Sequence, residues 1–200
     1  MTRHFFERLL SFVRTSSVVR AVKSLHNRRD GLGFLLRGAA TRIAYAGAFS
    51  VGPAFQVGSG VRFNLYGDLF MGANVRLSDG CNIVVGPGAE LYLGDNVFIG
   101  RQTVIVANQS IRIGEGTDIA EHCSIRDNSH ALELEERRAG VAHFAPIVIG
   151  DRCWIGAGAR ILKGSTLGDG VVVGANAVVR GAFEPSIVIG GVPARVLKKI

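Results

Sequence analysis

This chain of 200 residues has only three cysteines and lacks a long apolar run. Each of these two features excludes a class of protein. Cys81, Cys123 and Cys153 are an odd number without a CxxC pair, so neither a disulfide framework nor a zinc ligand set is visible. No stretch approaches the roughly 18 consecutive apolar residues that a membrane-spanning helix needs. Arg8 and Arg14 interrupt any apolar region of a signal peptide. We therefore predict a cytoplasmic protein.

Acidic side chains are scarce in the first quarter of the sequence. Residues 1–50 contain nine Lys and Arg but only Glu7 and Asp30, whereas the remaining 150 residues contain 14 of each sign. The whole net charge of +7 therefore lies in the N-terminal segment, and the body of the protein is electrically balanced. This distribution argues against nucleic acid as a partner of the body.

An aliphatic side chain recurs at every sixth residue through most of the chain between 51 and 190, with a gap at 131–148. A period of six fits neither the 3.6 residues of an α-helix turn nor the simple alternation of a hairpin, so the repeating unit is a short strand followed by a turn. The clearest run is Ile149, Ile155, Ile161, Leu167, Val173 and Val179. A second series, mostly small or β-branched, lies four residues beyond: Phe55, Val61, Val75, Cys81, Val97, Thr103, Thr117, Cys123, Cys153, Ala159, Ser165, Val171 and Ala177.

This repeat resembles the motif of the hexapeptide-repeat family, which IGDRCW, IGAGAR and VGANAV match. The resemblance implies an all-β fold, a left-handed parallel β-helix in which three hexads make a coil of about 18 residues, stacked about 4.8 Å from the next. The aliphatic series is expected to fill the interior. The three cysteines fall on the second series, so we expect small buried side chains rather than reactive thiols.

The series of aliphatic residues at every sixth position, called the ladder below, divides the chain into three parts. Residues 1–50 are predicted to form a basic, partly helical N-terminal cap, because apolar residues recur at mixed three- and four-residue spacing among the arginines of 2–29. The alternative is that these arginines hold the protein against an anionic membrane surface. Residues 51–190 form the β-helix, with 131–148 as a projecting loop, and 191–200 form a C-terminal tail. Projecting loops on a rigid scaffold are common places for functional sites.

His130 stands where the ladder gives way to the projecting loop, at the end of the hexad that begins at Ile125. An imidazole exchanges protons near neutral pH, so His130 is a candidate general base. The alternative is an ordinary surface histidine.

The segments SIRDNSHAL, APIVIGDRCWIGAGARIL and GGVPARVLKKI resemble those of hexapeptide O-acetyltransferases, above all those that modify bacterial capsule, exopolysaccharide or lipopolysaccharide. The resemblance implies direct attack of a sugar hydroxyl on acetyl-CoA in a ternary complex, with His130 as general base and no metal. Trp154 matches the tryptophan that lines the acyl-donor site. Backbone N–H groups around Gly156 and Ala157 are candidates for stabilising the oxyanion. Asp127 either orients the imidazole or is a solvated turn residue.

The same resemblance implies where acetyl-CoA binds. Its phosphates would meet Arg195, which matches the family arginine near the nucleotide. By charge alone Arg180, Arg160 and Lys163 are weaker candidates, and the alternative for each is a solvated residue of the coil surface. The family often has Thr-Lys where Arg180 and Gly181 stand here, so a phosphate contact has either moved to arginine or been lost. The pantetheine arm would follow small residues on the wall of the coil, which are Ala157, Ala159 and Ala175.

The family is usually a homotrimer with its sites between subunits, so the resemblance implies that His130 works with Trp154 and Arg195 of a neighbour. Two other functions are open at this stage. A noncatalytic β-helix scaffold of the bactofilin or cap-binding kind needs none of these side chains. A zinc γ-type carbonic anhydrase shares the fold, but the spacing of His122, His130 and His143 does not resemble that of its ligands.

Overall fold

The structure is a computed structural model that describes residues 31–44 and 49–200. The described part begins with a helix, α1 (Gly31–Ala44), which lies within the predicted N-terminal cap. The helices predicted within 2–29 lie outside the described residues. A long succession of short strands follows α1.

Nearly all strands lie in three sheets, which are the three faces of a coil that the chain visits in turn. The first face contains β1 (Phe49–Val51), β4 (Asp68–Met71), β7 (Glu90–Leu93), β10 (Ser110–Ile113), β15 (Ile147–Ile149), β18 (Thr166–Leu167) and β21 (Ala182–Phe183). The second contains β2 (Gln56–Val57), β5 (Arg76–Leu77), β8 (Phe98–Ile99), β11 (Asp118–Ile119), β16 (Trp154–Ile155), β19 (Val172–Val173), β22 (Ile187–Gly191) and β23 (Ala194–Lys199). The third contains β3 (Arg62–Leu65), β6 (Asn82–Val85), β9 (Val104–Ala107), β12 (Ser124–Arg126), β17 (Arg160–Leu162) and β20 (Val178–Val179).

Strands of one face pair in parallel with the strands of neighbouring coils, as a β-helix requires. Asp151 and Asp169, at equivalent positions of successive coils, are 18 residues apart, which matches three hexads. Before the projecting loop the coils are longer, because Ser59 and Asp79 are 20 residues apart and Ala73 and Asp95 are 22 apart. The predicted coil of 18 residues is therefore wrong for the N-terminal half. The extra residues lie in its four-residue strands and in the corners that follow the third face.

The aliphatic series fills the interior of the coil, as predicted. Ile113, Ile119 and Ile125 mark one such row along the chain, and all three are fully buried. This continuous apolar core is what holds the stacked coils together, because burial of a large aliphatic side chain stabilises the fold by about 1.5–3 kcal/mol.

The second series is buried as well, and its polar members bridge neighbouring coils. The Thr117 hydroxyl donates to the Gly150 carbonyl at 2.8 Å and accepts the N–H of Cys153 at 3.1 Å. The Cys81 thiol contacts the Gly100 carbonyl at 3.1 Å. The position therefore suits a small side chain with one hydrogen to donate, which explains the mixture of Thr, Ser and Cys found there.

Burial also sets the chemistry of the three thiols. It raises the pKa of Cys81 from 9.0 to about 11, and it raises the pKa of Cys123 and of Cys153. Because the thiolate is the reactive form, these side chains are packing residues, in agreement with the sequence-based expectation.

The turns between the faces are called corners here, and each corner takes the number of the face that it follows. Aspartate carboxylates link successive coils at some of these corners. Four aspartates each accept, through Oδ1, the N–H of the equivalent residue one coil earlier, at 2.7–2.9 Å. They are Asp79, Asp95, Asp151 and Asp169. A glycine of the earlier coil makes room for each one, since a Cβ on Gly58 or Gly150 would lie only 2.7 or 2.5 Å from the carboxylate oxygen.

Both ends of the described coil are covered. At the N-terminal end, Arg37 of α1 donates from Nε to the Val57 carbonyl at 2.7 Å and its guanidinium lies 4.9 Å from the ring of Phe34. At the other end, β23 pairs antiparallel with β22 on the second face, so most of the segment predicted as a tail is a strand.

The chain leaves the coil between Arg126 and Ile147. The intervening loop contains the antiparallel pair β13 (Asn128–His130) and β14 (Ala142–Phe144), joined through the short helix α2 (Leu134–Arg138). The predicted start at 131 was too late, because a hairpin strand continues the same alternation as a coil strand. Neither α1 nor α2, the helices of the described part, has the length and apolar character to cross a bilayer.

Candidate functional site

His130 is the last residue of β13 and its side chain is exposed. His130 belongs to the hairpin and not to the coil, so it projects from the coil together with the loop. The next residue, Ala131, is buried and donates its N–H to the Val141 carbonyl at 3.1 Å. The imidazole is therefore exposed on a backbone that is fixed on both sides.

A groove of about 720 Å³ separates the loop from the third corners of the next two coils. His130 lines it together with His143, Glu133 and Glu136 of the loop, and with Lys163 and Arg180 of the corners. Glu133 and Glu136 were not predicted from the sequence, because the loop lies outside the periodic pattern. The structure thus brings His130 and Arg180, which was predicted as a weaker phosphate contact, to one groove.

The basic side chains in the groove are not neutralised by protein carboxylates. Within residues 31–44 and 49–200, neither the Lys163 nor the Arg180 side chain has an ion-pair or hydrogen-bond partner. The ion pair found in that part of the chain joins the exposed Arg152 and Asp169, at 4.0 Å, on the first corner. The groove therefore holds two positive charges, unpaired among the described residues, beside the carboxylates of Glu133 and Glu136.

Asp127 was predicted either to orient the imidazole as a carboxylate does in a triad or to be a solvated turn residue. It is fully buried, and its contacts fit neither prediction. Its carboxylate accepts the N–H groups of Asn108, Gln109 and Ser110 at 2.7–3.0 Å. Both oxygens are engaged, and among the described residues no hydrogen bond joins Asp127 to His130. It is neither a solvated turn residue nor a hydrogen-bond partner of the imidazole.

Trp154 lies on a different side of the coil from His130. It is on β16 of the second face, between Asp118 and Val172 of the neighbouring strands, and 59% of its surface is exposed. An exposed tryptophan on a flat sheet offers a stacking surface to a ligand or to another subunit. Trp154 does not line the groove of His130.

Gly156, Ala157 and Ala175 lie together on the second corner, at the opposite edge of the third face from the groove. Gly156 N–H donates to the Val173 carbonyl at 2.8 Å, so it is not free to stabilise an oxyanion, and that prediction is wrong for Gly156. Glycine is needed there for packing, because a Cβ would lie 2.7 Å from the nitrogen of Ala175 and from the Val173 oxygen. Ala159 points into the core and is not part of the outer wall, contrary to the prediction.

The corner at Ala175 lacks the linking carboxylate that the corners at Asp79, Asp95, Asp151 and Asp169 have. Ala175 occupies the turn position of Asp169, and the glycine that makes room for such a carboxylate, Gly156, is present one coil earlier. Within the described residues, the N–H groups of Ala157 and Ala175 have no acceptor. Two amides on successive coils are thus not used in hydrogen bonds between coils.

Arg195 is exposed on β23 at the C-terminal end of the second face. Its guanidinium donates to the carbonyl of Ala194 at 2.9 Å, which leaves most of its donors available. Arg195 and Trp154 thus share a face, and His130 shares it with neither.

The carbonic anhydrase alternative requires a cluster of side chains that can bind a metal ion. In the part of the chain that the structure describes, no three His, Cys, Asp or Glu side chains gather as a metal would require. His122 lies on the second corner in another groove, with Asp79 and Arg101, whereas His130 and His143 belong to the loop.

Known proteins resemble this chain in both sequence and fold. The profile of the family described as bacterial transferase hexapeptide (six repeats) matches residues 146–181. An Escherichia coli (strain K12) protein, whose name marks it as a candidate lipopolysaccharide biosynthesis O-acetyl transferase, is 53% identical over 53 residues, 26% of this chain and 27% of that protein. Galactoside O-acetyltransferase of the same organism is 39% identical over 71 residues, 36% of this chain and 35% of that protein.

Among solved structures, a hexapeptide-repeat-containing acetyltransferase of Vibrio cholerae O1 biovar eltor, complexed with acetyl coenzyme A, is 28% identical. Its TM-score is 0.58, and the match covers 92% of this chain and 90% of that one.

These similarities confirm the fold class that the resemblance implied, a left-handed parallel β-helix of hexapeptide repeats. They also confirm the resemblance to hexapeptide-repeat acetyltransferases. The sequence matches span little more than a quarter of one curated relative and about a third of the other.

Proposed function

We propose that the protein is an acyltransferase that moves the acetyl group of acetyl-CoA to a hydroxyl of a sugar in a bacterial surface glycan or its precursor. The observation that carries the proposal is the exposed imidazole of His130 above a groove wide enough for a sugar. The names of the relatives, which include lipopolysaccharide and galactoside O-acetyl transfer, support the glycan as the class of acceptor.

The reaction follows from the proton that His130 can accept. The acceptor oxygen attacks the thioester carbonyl carbon while its hydrogen passes to the imidazole, so a hydroxyl too weak an acid to ionise alone becomes a nucleophile. The tetrahedral intermediate then expels the thiolate of coenzyme A, which takes the proton back from the imidazolium. The products are the acetyl ester and free coenzyme A, and the enzyme returns to its starting state without a covalent intermediate.

The free amides of the second corner suit the oxygens of the co-substrate. Ala157 N–H, which has no acceptor among the residues that the structure describes, is the remaining candidate of the two proposed to stabilise the oxyanion. Ala175 N–H, one coil further on, can bind a carbonyl of the pantetheine arm. Gly156 contributes by keeping the space above Ala175 empty. Arg180 and Arg195 are the partners proposed for the phosphates.

A site that uses both His130 and Trp154 has to combine two copies of the chain, because these residues lie on different sides of one coil. A homotrimer is supported by the middle of the third face, whose outward side chains between β6 and β12 are largely uncharged. They are Asn82, Val84, Val104, Val106, Ser124 and Arg126, of which only Arg126 is charged. Such a flat, weakly polar surface suits contact between copies around a symmetry axis. His130 of one copy would then face Trp154 and Arg195 of the next.

The basic N-terminal segment supports a place at the inner face of a membrane. Residues 1–50 carry the whole net charge of +7, and anionic lipid surfaces attract such segments. A lipid-linked glycan precursor would be presented at the same surface. This contact is a proposal about residues that lie mostly outside the described part of the chain.

The test is release of free thiol from acetyl-CoA in the presence of a panel of bacterial surface glycans. The parent protein is expected to release thiol with one glycan, and His130→Ala is expected to lose at least 100-fold in kcat, because general base catalysis contributes about 10²–10⁴. His122→Asn is the control, since it removes a histidine outside the groove at a turn position where Asn74, Asn96 and Asn176 already occur.

A noncatalytic scaffold is the competing function, and ligand binding separates the two. Acetyl-CoA should raise the melting temperature of the parent protein and of His130→Ala alike, as a ligand of the native state does. Neither a shift in melting temperature nor thiol release with any glycan would favour the scaffold.

A further inference from the structure

The projecting loop removes the carbonyl groups that a regular third corner offers to the coil before it. At the two preceding third corners, Asp68 and Glu90 donate their N–H groups to the carbonyls of Ala89 and Gln109, one coil further on, at 2.9 and 3.1 Å. Ser110 holds the same position in the next coil, but there the chain has left for the loop. Backbone N–H groups at this place need another acceptor, since an amide without one destabilises the fold.

The carboxylate of Asp127 replaces the missing carbonyls. Its Oδ2 accepts the N–H groups of Gln109 and Ser110 at 2.7 and 2.9 Å, and Asn108 N–H lies 2.8 and 3.0 Å from the two oxygens. One buried charge therefore satisfies three consecutive amides. Each of the four other aspartates that link coils accepts a single amide.

The main chain of the same residue holds the returning end of the loop. The Asp127 carbonyl accepts the N–H of Ala145 at 2.9 Å, and the Ala145 carbonyl accepts the N–H of Gly164 at 3.1 Å. A continuous hydrogen-bonded path thus runs from the corner at 108–110, through Asp127 and Ala145, to the coil that carries Lys163. The loop leaves and re-enters the coil through this one junction.

We propose that Asp127 is a positioning residue for His130 that acts through the backbone. By fixing the junction, it sets where β13 leaves the coil, and so where the imidazole three residues later stands over the groove. This inference rests on the proposed function, because the position of His130 matters for rate only if His130 is the base. A base displaced by about 1 Å can cost about 100-fold in rate.

The variant Asp127→Asn tests the role with little change of shape. Its amide hydrogens would oppose the N–H groups of 108–110, so these amides are expected to lose protection from hydrogen exchange. The kcat of acetyl transfer is expected to fall about 10- to 100-fold. The KM for acetyl-CoA should stay unchanged, because Ala157 and Ala175 lie at the other edge of the third face. Arg180 lines the groove but belongs to a corner of the coil and not to the loop. Asp95→Asn is the matched control, since its carboxylate also accepts a coil amide, at 2.7 Å, far from the groove, and kcat should persist.

A second substitution guards against misfolding of Asp127→Asn. Gln109→Pro removes one of the three amides and leaves Asp127 in place. Its kcat is expected to fall by less than that of Asp127→Asn. In a His130→Ala background, Asp127→Asn should lower the residual kcat no further, because its effect passes through the imidazole.

The outcomes are distinguishable. An unchanged kcat of Asp127→Asn beside an active parent protein overturns the positioning role, and so does an additional loss in the His130→Ala background. A parent protein without acetyl transfer on any glycan refutes the proposed function and the role of Asp127 with it, even where hydrogen exchange shows the junction intact. Lost protection at 108–110 together with a lowered kcat and unchanged KM supports the proposal.

Discussion

Substituting Ala175 by aspartate should strengthen the coil and remove the binding of acetyl-CoA. At four corners an aspartate at this turn position accepts the amide of the preceding coil at 2.7–2.9 Å. Ala175→Asp would give Ala157 N–H the same partner, and Gly156 already leaves the room. A hydrogen bond to an exposed carboxylate contributes about 1 kcal/mol, which corresponds to a rise in melting temperature of roughly 2–4 °C for a domain of this size.

The same carboxylate would occupy the space proposed for a carbonyl of acetyl-CoA and would add a negative charge beside it. Isothermal titration should therefore show an affinity for acetyl-CoA at least 10-fold lower than that of the parent protein, which is about 1.4 kcal/mol. Ala175→Asn distinguishes the effect of the filled space on acetyl-CoA binding from the effect of the negative charge, since asparagine fills the same volume without the charge. A more stable protein that binds acetyl-CoA as tightly as the parent would refute the placement of the co-substrate on the second corner.

Three other predictions concern the core and the assembly. The unfolding free energy should fall as pH rises from about 9 towards 11. The reason is that the pKa of the Cys81 thiol is about 11 in the folded chain, so the thiol ionises more readily when the chain is unfolded. Urea titrations at several pH values should show a flatter pH dependence for Cys81→Ala. Thr117→Val should lower the unfolding free energy by about 2 kcal/mol, because the Gly150 carbonyl and Cys153 N–H both lose their partner; a loss under 0.5 kcal/mol in urea unfolding would contradict this reading. Mixed trimers of His130→Ala and Trp154→Ala chains should recover part of the activity that each variant lacks alone, and no recovery in confirmed mixed trimers would argue against a site between subunits.

The hexad ladder was sufficient to predict the class of fold, because each interior position faces the same environment in every coil. Ile119 and Ile155, on neighbouring second-face strands, are buried alike, and a period of six residues records that directly. The length of the N-terminal coils was missed because their additional residues lie in longer strands and at the third corners, where solvent-facing side chains carry no periodic signal.

The site was predictable only in part. His130 could be found because it stands where the ladder stops, and Ala157 and Ala175 because small residues replace larger ones at a corner. The failures at Gly156 and Ala159 have one cause, since a repeat pattern does not tell which amides are used between coils or which small residues point inward. The three amides held by Asp127 come from residues 17–19 positions earlier, and only the three-dimensional arrangement brings them together.

The central claim is that His130 removes the proton from a sugar hydroxyl as acetyl is transferred. The most direct measurement follows a ¹³C-labelled acetyl group from acetyl-CoA to a purified surface glycan by NMR, with parent protein and His130→Ala at equal concentration. The account predicts a labelled acetyl ester on a sugar oxygen with the parent protein and at least 100-fold slower labelling with His130→Ala. Equal labelling by the two proteins would contradict it.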